Sequence, residues 1–255
     1  MKLSKQELFE FLEIKQEQYN NPEFIPSDPI SIPHLFTKNQ DIEIAGFLTS
    51  TISWGSRKII VSNSRKLIQL MDDDPFSFIM DASENDLLPF RKFIHRTFNG
   101  EDCVFFLQSL KNIYTKHESM EELFLPSANN GISHAIGNFR KEFLLTSHQK
   151  RSEKHIADPF SGSSAKRINM FLRWMVRNDS RGVDFGIWKQ IDPSALICPL
   201  DVHVGNVARK LGLLTRKAND WKAAEELTTS LRKFDPSDPV KYDFALFGLG
   251  IFENF

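Results

Sequence analysis

Apolar residues in this chain recur at helical spacing and almost nowhere alternate. Phe9 and Leu12, then Ile42, Ala45 and Leu48, then Phe105, Leu107, Leu110 and Ile113 follow the 3.6-residue period, while alternating runs joined by Asn-Gly turns are missing. An all-α fold follows from that pattern. With 255 residues, 41 % of them hydrophobic, the chain is long enough to bury the core of one or two domains, which excludes disordered, collagen-like and disulfide-stapled classes.

No window approaches the roughly 20 apolar residues of a membrane span, and Met1 to Glu17 carries charges where a signal peptide has an apolar stretch. No membrane partner and a cytoplasmic location are therefore expected. Cys103 and Cys198 fall short of the four thiolates of a cysteine-ligated iron–sulfur cluster. The seven histidines show no metal-ligand spacing, so no metal site is expected either.

The spacing predicts helices over residues 3–19, 41–52, 57–71, 84–97, 102–116, 132–146 and 165–177. A short helix-like segment is expected at 152–157 and an additional helix between Gly182 and Pro199. Pro22, Pro26, Pro29 and Pro33 make the stretch between the first two a connector that no α-helix crosses. Asp72, Asp73 and Asp74, just before Pro75, read as a helix-end cluster and not as a metal site.

Lys+Arg and Asp+Glu nearly balance over the whole chain, at 32 against 33. The balance breaks between Arg140 and Arg181, where ten Lys/Arg face four Asp/Glu. A basic segment inside a neutral chain suggests a polyanion face, and a solvated helix surface is the equal alternative.

Two segments carry candidate chemistry. Phe160-Ser-Gly-Ser-Ser-Ala-Lys-Arg-Ile-Asn169 opens an amphipathic helix with a Gly/Ser loop, where free backbone N–H groups and the helix dipole favour a phosphate, with Ser163 or Ser164 as the N-cap. Leu200-Asp-Val-His-Val-Gly-Asn-Val-Ala-Arg-Lys-Leu-Gly-Leu213 follows Pro199, with Asp201 at an N-cap and Val204, Val207 and Leu211 as the buried stripe. On the residues alone Asp201 is either a plain cap or a working carboxylate.

The second segment resembles the helix-hairpin-helix DNA glycosylase superfamily of the endonuclease III type, matching its Asp-x-His-Val motif at Asp201, His203 and Val204 and continuing through Val207, Leu211, Gly212 and Leu213. The superfamily hairpin, Leu-Pro-Gly-Val-Gly-x-Lys-x-x-Asn, is matched at Gly162, Lys166 and Asn169, with Ser161, Ser163 and Ser164 standing where the family has Pro, Val and Gly. Lys166 and Asp201 lie 35 residues apart, about twice the usual separation, as in an archaeal 8-oxoguanine glycosylase branch that looks similar. Residues 41–53 resemble the family helix whose terminal Gln fills the gap left by an extruded base; Thr51 takes that position and Trp54 follows, with a Trp buried beside Phe47 as the alternative. Near its full length the chain also resembles an uncharacterised bacterial family, in phrases such as Lys166 to Arg177 and Asp238 to Gly248.

The resemblance implies a two-lobed helix-hairpin-helix DNA-glycosylase-like fold in one unit, 1–255. One lobe would span 38–180 with the hairpin at about 152–177, and a second would combine 1–37 with 183–255. It implies a DNA-repair glycosylase and AP lyase, a monomer acting on duplex DNA at the nucleoid. Asp201 would be the catalytic carboxylate and Lys166 the nucleophile. Gly162, Ser163, Ser164, Arg167, Asn169, Arg173 and His203 would contact DNA, and Thr51 and Trp54 would serve the base pocket. No cofactor is implied beyond a monovalent cation that family hairpins hold with carbonyls. The alternative is a non-catalytic helix-hairpin-helix protein that recognises damaged or branched DNA.

Overall fold

A computed structural model describes residues 3–126, 131–253 and 255. Among them every regular element is an α- or 3-10 helix, and strand-type pairing is confined to the isolated bridges His95–Phe98 and Ser163–Asp220. No described helix is long and apolar enough to cross a membrane. The chain divides into two compact units, one of residues 1–24, 131–133 and 158–255, the other of 25–130 and 134–157. In this division the loop and helix at 158–176 fall in the same unit as the C-terminal residues.

The second unit holds α2 (Asn39–Thr51), α3 (Arg57–Gln69), α4 (Pro75–Asp81), α5 (Gly100–Tyr114) and most of α6 (Ile132–Phe143). Helix α2 is buried from Asp41 to Thr51, and Phe47 stacks among Phe106, Phe139 and Phe143. Its one glutamate in that run, Glu43, is satisfied by the Tyr114 hydroxyl (2.6 Å), the Ser119 hydroxyl (2.5 Å) and the Met120 amide (3.0 Å), as a buried carboxylate requires.

One expectation for this unit needs correction. The helix foreseen at 84–97 is a set of turns with a 3-10 segment at Pro89–Lys92, because Pro89 interrupts it and Arg96 takes a left-handed φ of 56° inside the turn closed by the His95–Phe98 bridge. The short helix-like segment expected near 152–157 forms as a 3-10 helix, Lys150–His155. Asp72 and Asp73 do terminate α3, both in the left-handed region, and no group of three His, Cys, Asp or Glu among the described residues is placed to hold a metal.

The first unit holds α1 (Lys5–Tyr19), α7 (Lys166–Val176), α8 (Val202–Lys210), α9 (Trp221–Leu231) and α10 (Asp243–Phe252). Helix α1 begins with a complete capping box between Ser4 and Glu7. Helix α10 packs against both α1 and α8, with Gly248 so close to the Tyr19 ring that a Cβ would stand 2.1 Å from it. Between α7 and α8 the expected additional helix does not form. Phe185 and Trp188 instead return their amides to the Trp174 and Met175 carbonyls at 2.8 and 2.9 Å, and Gly182 and Gly186 supply positive φ angles of 76° and 53°.

Candidate active site

The loop before α7 is built by its own short side chains. Asp158 accepts the Phe160 amide at 2.9 Å, Gly162 turns left-handed at φ 86°, and the Gly162 amide reaches the Pro159 carbonyl at 3.1 Å. Neither serine expected at the N-cap occupies it. The cap position is Ala165, left-handed at φ 50° and without a side-chain cap. The Ser163 hydroxyl accepts the Ala165 amide one step early (3.1 Å), and the Ser164 hydroxyl donates to the Leu200 carbonyl (3.0 Å). Lys166 thereby becomes the first residue of α7, tied to the segment that ends in Asp201.

Asp201 caps α8, its Oδ1 accepting the Val204 amide at 3.0 Å. Its other oxygen, Oδ2, stands 3.7 Å from Lys166 Nζ, with the two side chains 27 and 24 % exposed. The amine is thus open to a ligand while facing a carboxylate. Both groups sit at helix N-termini, where the dipole favours negative charge.

Beneath the pair lies a buried ionic network. Arg173, two turns beyond Lys166, donates to Asp184 at 3.2 Å and to Asp243 at 2.5 Å. Arg177 continues it to Asp184 (2.7 Å), Asp179 (2.6 Å) and Asp238 (2.8 Å). Burial pushes the Asp243 carboxyl up to about 6, against the opposing pull of Arg173 and Lys166. The Cys198 thiol, 3.9 Å from Asp243, is raised well above its ordinary value by burial and by that carboxylate.

The remaining expected site residues separate by exposure. Gly162, Ser163 and His203 lie at the surface, and Ser164 and Arg167 are half-buried. Burial lowers the Arg167 guanidinium to about 10. Arg173 cannot serve as a DNA contact: it is 4 % exposed, closed off by Asp184, Asp243 and the Phe244 ring 4.2 Å away. Asn169 is buried as well and spends its amide on the Ser164 carbonyl (3.1 Å), shaping the loop instead of reaching a ligand. Thr51 and Trp54 belong to the second unit. Thr51 is buried, which removes it as an exposed gap-filler, and Trp54 is half-buried with its ring 4.9 Å from His95 and 5.9 Å from His155.

The basic excess of 140–181 is largely neutralised in place. Arg140 pairs with Glu153, Arg151 with Asp102, Arg173 and Arg177 with the buried aspartates, and Arg181 with Glu17. Lys141, Lys150 and Lys154 are exposed. In the loop before α7, the carbonyls of Asp158, Pro159 and Ser164 accept hydrogen bonds from the loop itself and from Asn169.

Asp184, Asp243 and Arg177 were not legible as site-supporting residues by motif. Their signal was weak: two arginines four apart in an apolar helix, and a lone aspartate opening another.

The model of a family described as "Protein of unknown function (DUF2400)" matches residues 28–252. The chain belongs to that family. No curated protein and no solved structure matches the chain. The span of the DUF2400 match takes in Lys166, Asp201 and the whole Arg–Asp network, but it names no activity. The likeness to helix-hairpin-helix glycosylases rests on the sequence motifs alone.

Proposed function

We propose that the protein is a DNA-repair glycosylase with AP-lyase activity, of a helix-hairpin-helix glycosylase-like fold, that removes a damaged base from duplex DNA. The observation that carries this reading is the partly exposed Lys166–Asp201 pair, 3.7 Å apart, formed by the two residues that match the superfamily's nucleophile and carboxylate.

The chemistry such a pair can perform is specific. A base inside a duplex is out of reach, so the nucleotide must first be extruded. Asp201 takes a proton from the Lys166 ammonium, and the freed amine attacks C1′. The C1′–N bond to lysine forms as the glycosidic bond breaks, and the base leaves with its electron pair. Asp201 passes the proton it took to the departing base, and the carboxylate so restored stabilises the oxocarbenium character that develops at C1′. Ring opening converts the adduct to an imine, whose β-elimination cuts the strand.

Incubation with a panel of damaged-base duplexes in borohydride tests the reading. Wild type is expected to form a reduced covalent complex that Lys166→Gln does not form, because glutamine makes no imine. Excision without any trapped complex would make the enzyme monofunctional. Duplex binding with neither excision nor trapping would favour the non-catalytic DNA-binding reading, and no binding at micromolar protein would remove nucleic acid altogether. Where binding occurs, log affinity should fall with log salt by about 0.9 per phosphate neutralised, and Lys154→Ala with Arg167→Ala should flatten that slope.

A further inference from the structure

Helix α8 has a notch where its N-terminal turn meets the loop that follows it. At Gly205 a Cβ would stand 2.7 Å from Asn219 Oδ1 and 2.8 Å from Arg209 Nη1, so those two side chains fit across the helix only because residue 205 has none. Asn219 uses both ends of its amide there. Its oxygen accepts from Arg209 Nη2 at 2.6 Å, and its nitrogen donates to the Asp201 carbonyl at 3.2 Å, alongside the Gly205 amide at 2.9 Å.

Arg209 holds the same loop by its backbone, donating to the Arg216 and Lys217 carbonyls, each at 2.9 Å. The next residue, Asp220, pairs by its backbone with Ser163 of the loop that delivers Lys166, while its side chain caps α9 through the Ala223 amide (3.0 Å) and pairs with Arg216. One strap, residues 216–220, therefore touches both arms of the candidate pair. It grips the Asp201 end through Asn219 and the Lys166 end through Asp220.

We infer that Asn219, anchored by Arg209 in the notch at Gly205, is a positioning residue that sets where the Asp201 carboxylate stands relative to Lys166. The inference rests on the glycosylase reading for its kinetic consequence but not for its structural one. Asp201 orients its carboxylate by capping α8, so whatever fixes its backbone fixes the direction of Oδ2. A displacement of about 1 Å in such a group costs on the order of 100-fold in rate.

Asn219→Asp separates positioning from simple loop anchorage. The new carboxylate keeps the acceptor for Arg209 and loses the donor to Asp201, so a residue that only anchors the loop tolerates it. Single-turnover borohydride trapping is expected to slow on the order of 10- to 100-fold in Asn219→Asp, with duplex affinity unchanged within twofold. Amide hydrogen exchange at Val204 and Gly205, which lie under the cap, should quicken severalfold while exchange in α1 and α9 stays as in wild type. Gly205→Ala, which fills the notch, should show the same pair of effects.

Equal trapping rates and equal Val204 exchange in wild type and Asn219→Asp overturn the inference. If wild type neither traps nor excises, the glycosylase reading has failed on its own account. The exchange measurement then decides alone: faster exchange at Val204 in Asn219→Asp supports the positioning role, and unchanged exchange overturns it.

Discussion

Asp201→Asn is expected to leave the protein folded and duplex binding intact while base excision falls on the order of 10²- to 10³-fold. The two oxygens of Asp201 do different work. Oδ1 accepts the Val204 amide at 3.0 Å, a role asparagine's carbonyl performs as well, so stability should change by no more than a few tenths of a kcal/mol. Oδ2 carries the charge that faces Lys166 at 3.7 Å, and asparagine has none to offer it. Removing charge that acts on the transition state lowers kcat and kcat/KM together, so the substrate's KM should scarcely move. Asp201→Leu provides the contrast, losing the cap too and about 0.5–2 kcal/mol of stability in urea unfolding. Unchanged excision by Asp201→Asn would reduce Asp201 to a cap and take the enzyme assignment with it.

Arg177→Ala should be among the most destabilising single changes in the chain, on the order of 3–5 kcal/mol by urea unfolding. Its side chain is 1 % exposed and joins three carboxylates, with Nη1 on Asp184 at 2.7 Å, Nη2 on Asp179 at 2.6 Å and Nε on Asp238 at 2.8 Å. Those carboxylates more than offset burial and hold the guanidinium above its ordinary range. Deleting it strands a wholly buried Asp184 with only Arg173 beside it and leaves Asp238, which burial already raises, without its cation. The cost comes from uncompensated buried charge, not from the net value of the pairs, so Asp184→Asn in the Arg177→Ala background should restore part of it. A loss below about 1 kcal/mol would mean that the network is wetter than its burial indicates. Arg173, one turn earlier, links the same network to Asp243, so a residue remote from Lys166 helps fix the helix that carries it.

Legibility in the sequence followed the range of the interactions concerned. The helices at Lys5–Tyr19, Arg57–Gln69, Gly100–Tyr114 and Lys166–Val176 lie within a few residues of where periodicity places them, because burying one helical stripe is a demand each segment makes locally. The Asp201 cap was legible for the same reason, since the bond to Val204 spans three residues. The cap of α7 was misread: Ser163 and Ser164 are good cap residues by type, but Ser164 is drawn to a carbonyl 36 residues away and Ala165 is left in the cap position. Arg173 was misread as a DNA contact because sequence supplies its charge but not Asp243, 70 residues on, which buries it.

The sequence by itself determined an all-helical chain, its main helix limits and the residue types of the Lys166–Asp201 pair, all of which depend on periodicity, capping and chemical identity within a few turns. Only the tertiary structure decided that the pair comes together across 35 residues, that the stretch between Gly182 and Pro199 forms no α-helix, and that five of the six arginines in the basic segment are paired with carboxylates. Each of those outcomes depends on partners distant in sequence. A buried guanidinium is tolerated only where folding delivers its carboxylates, and a strap such as 216–220 acquires its role only once Gly205 leaves room beneath it.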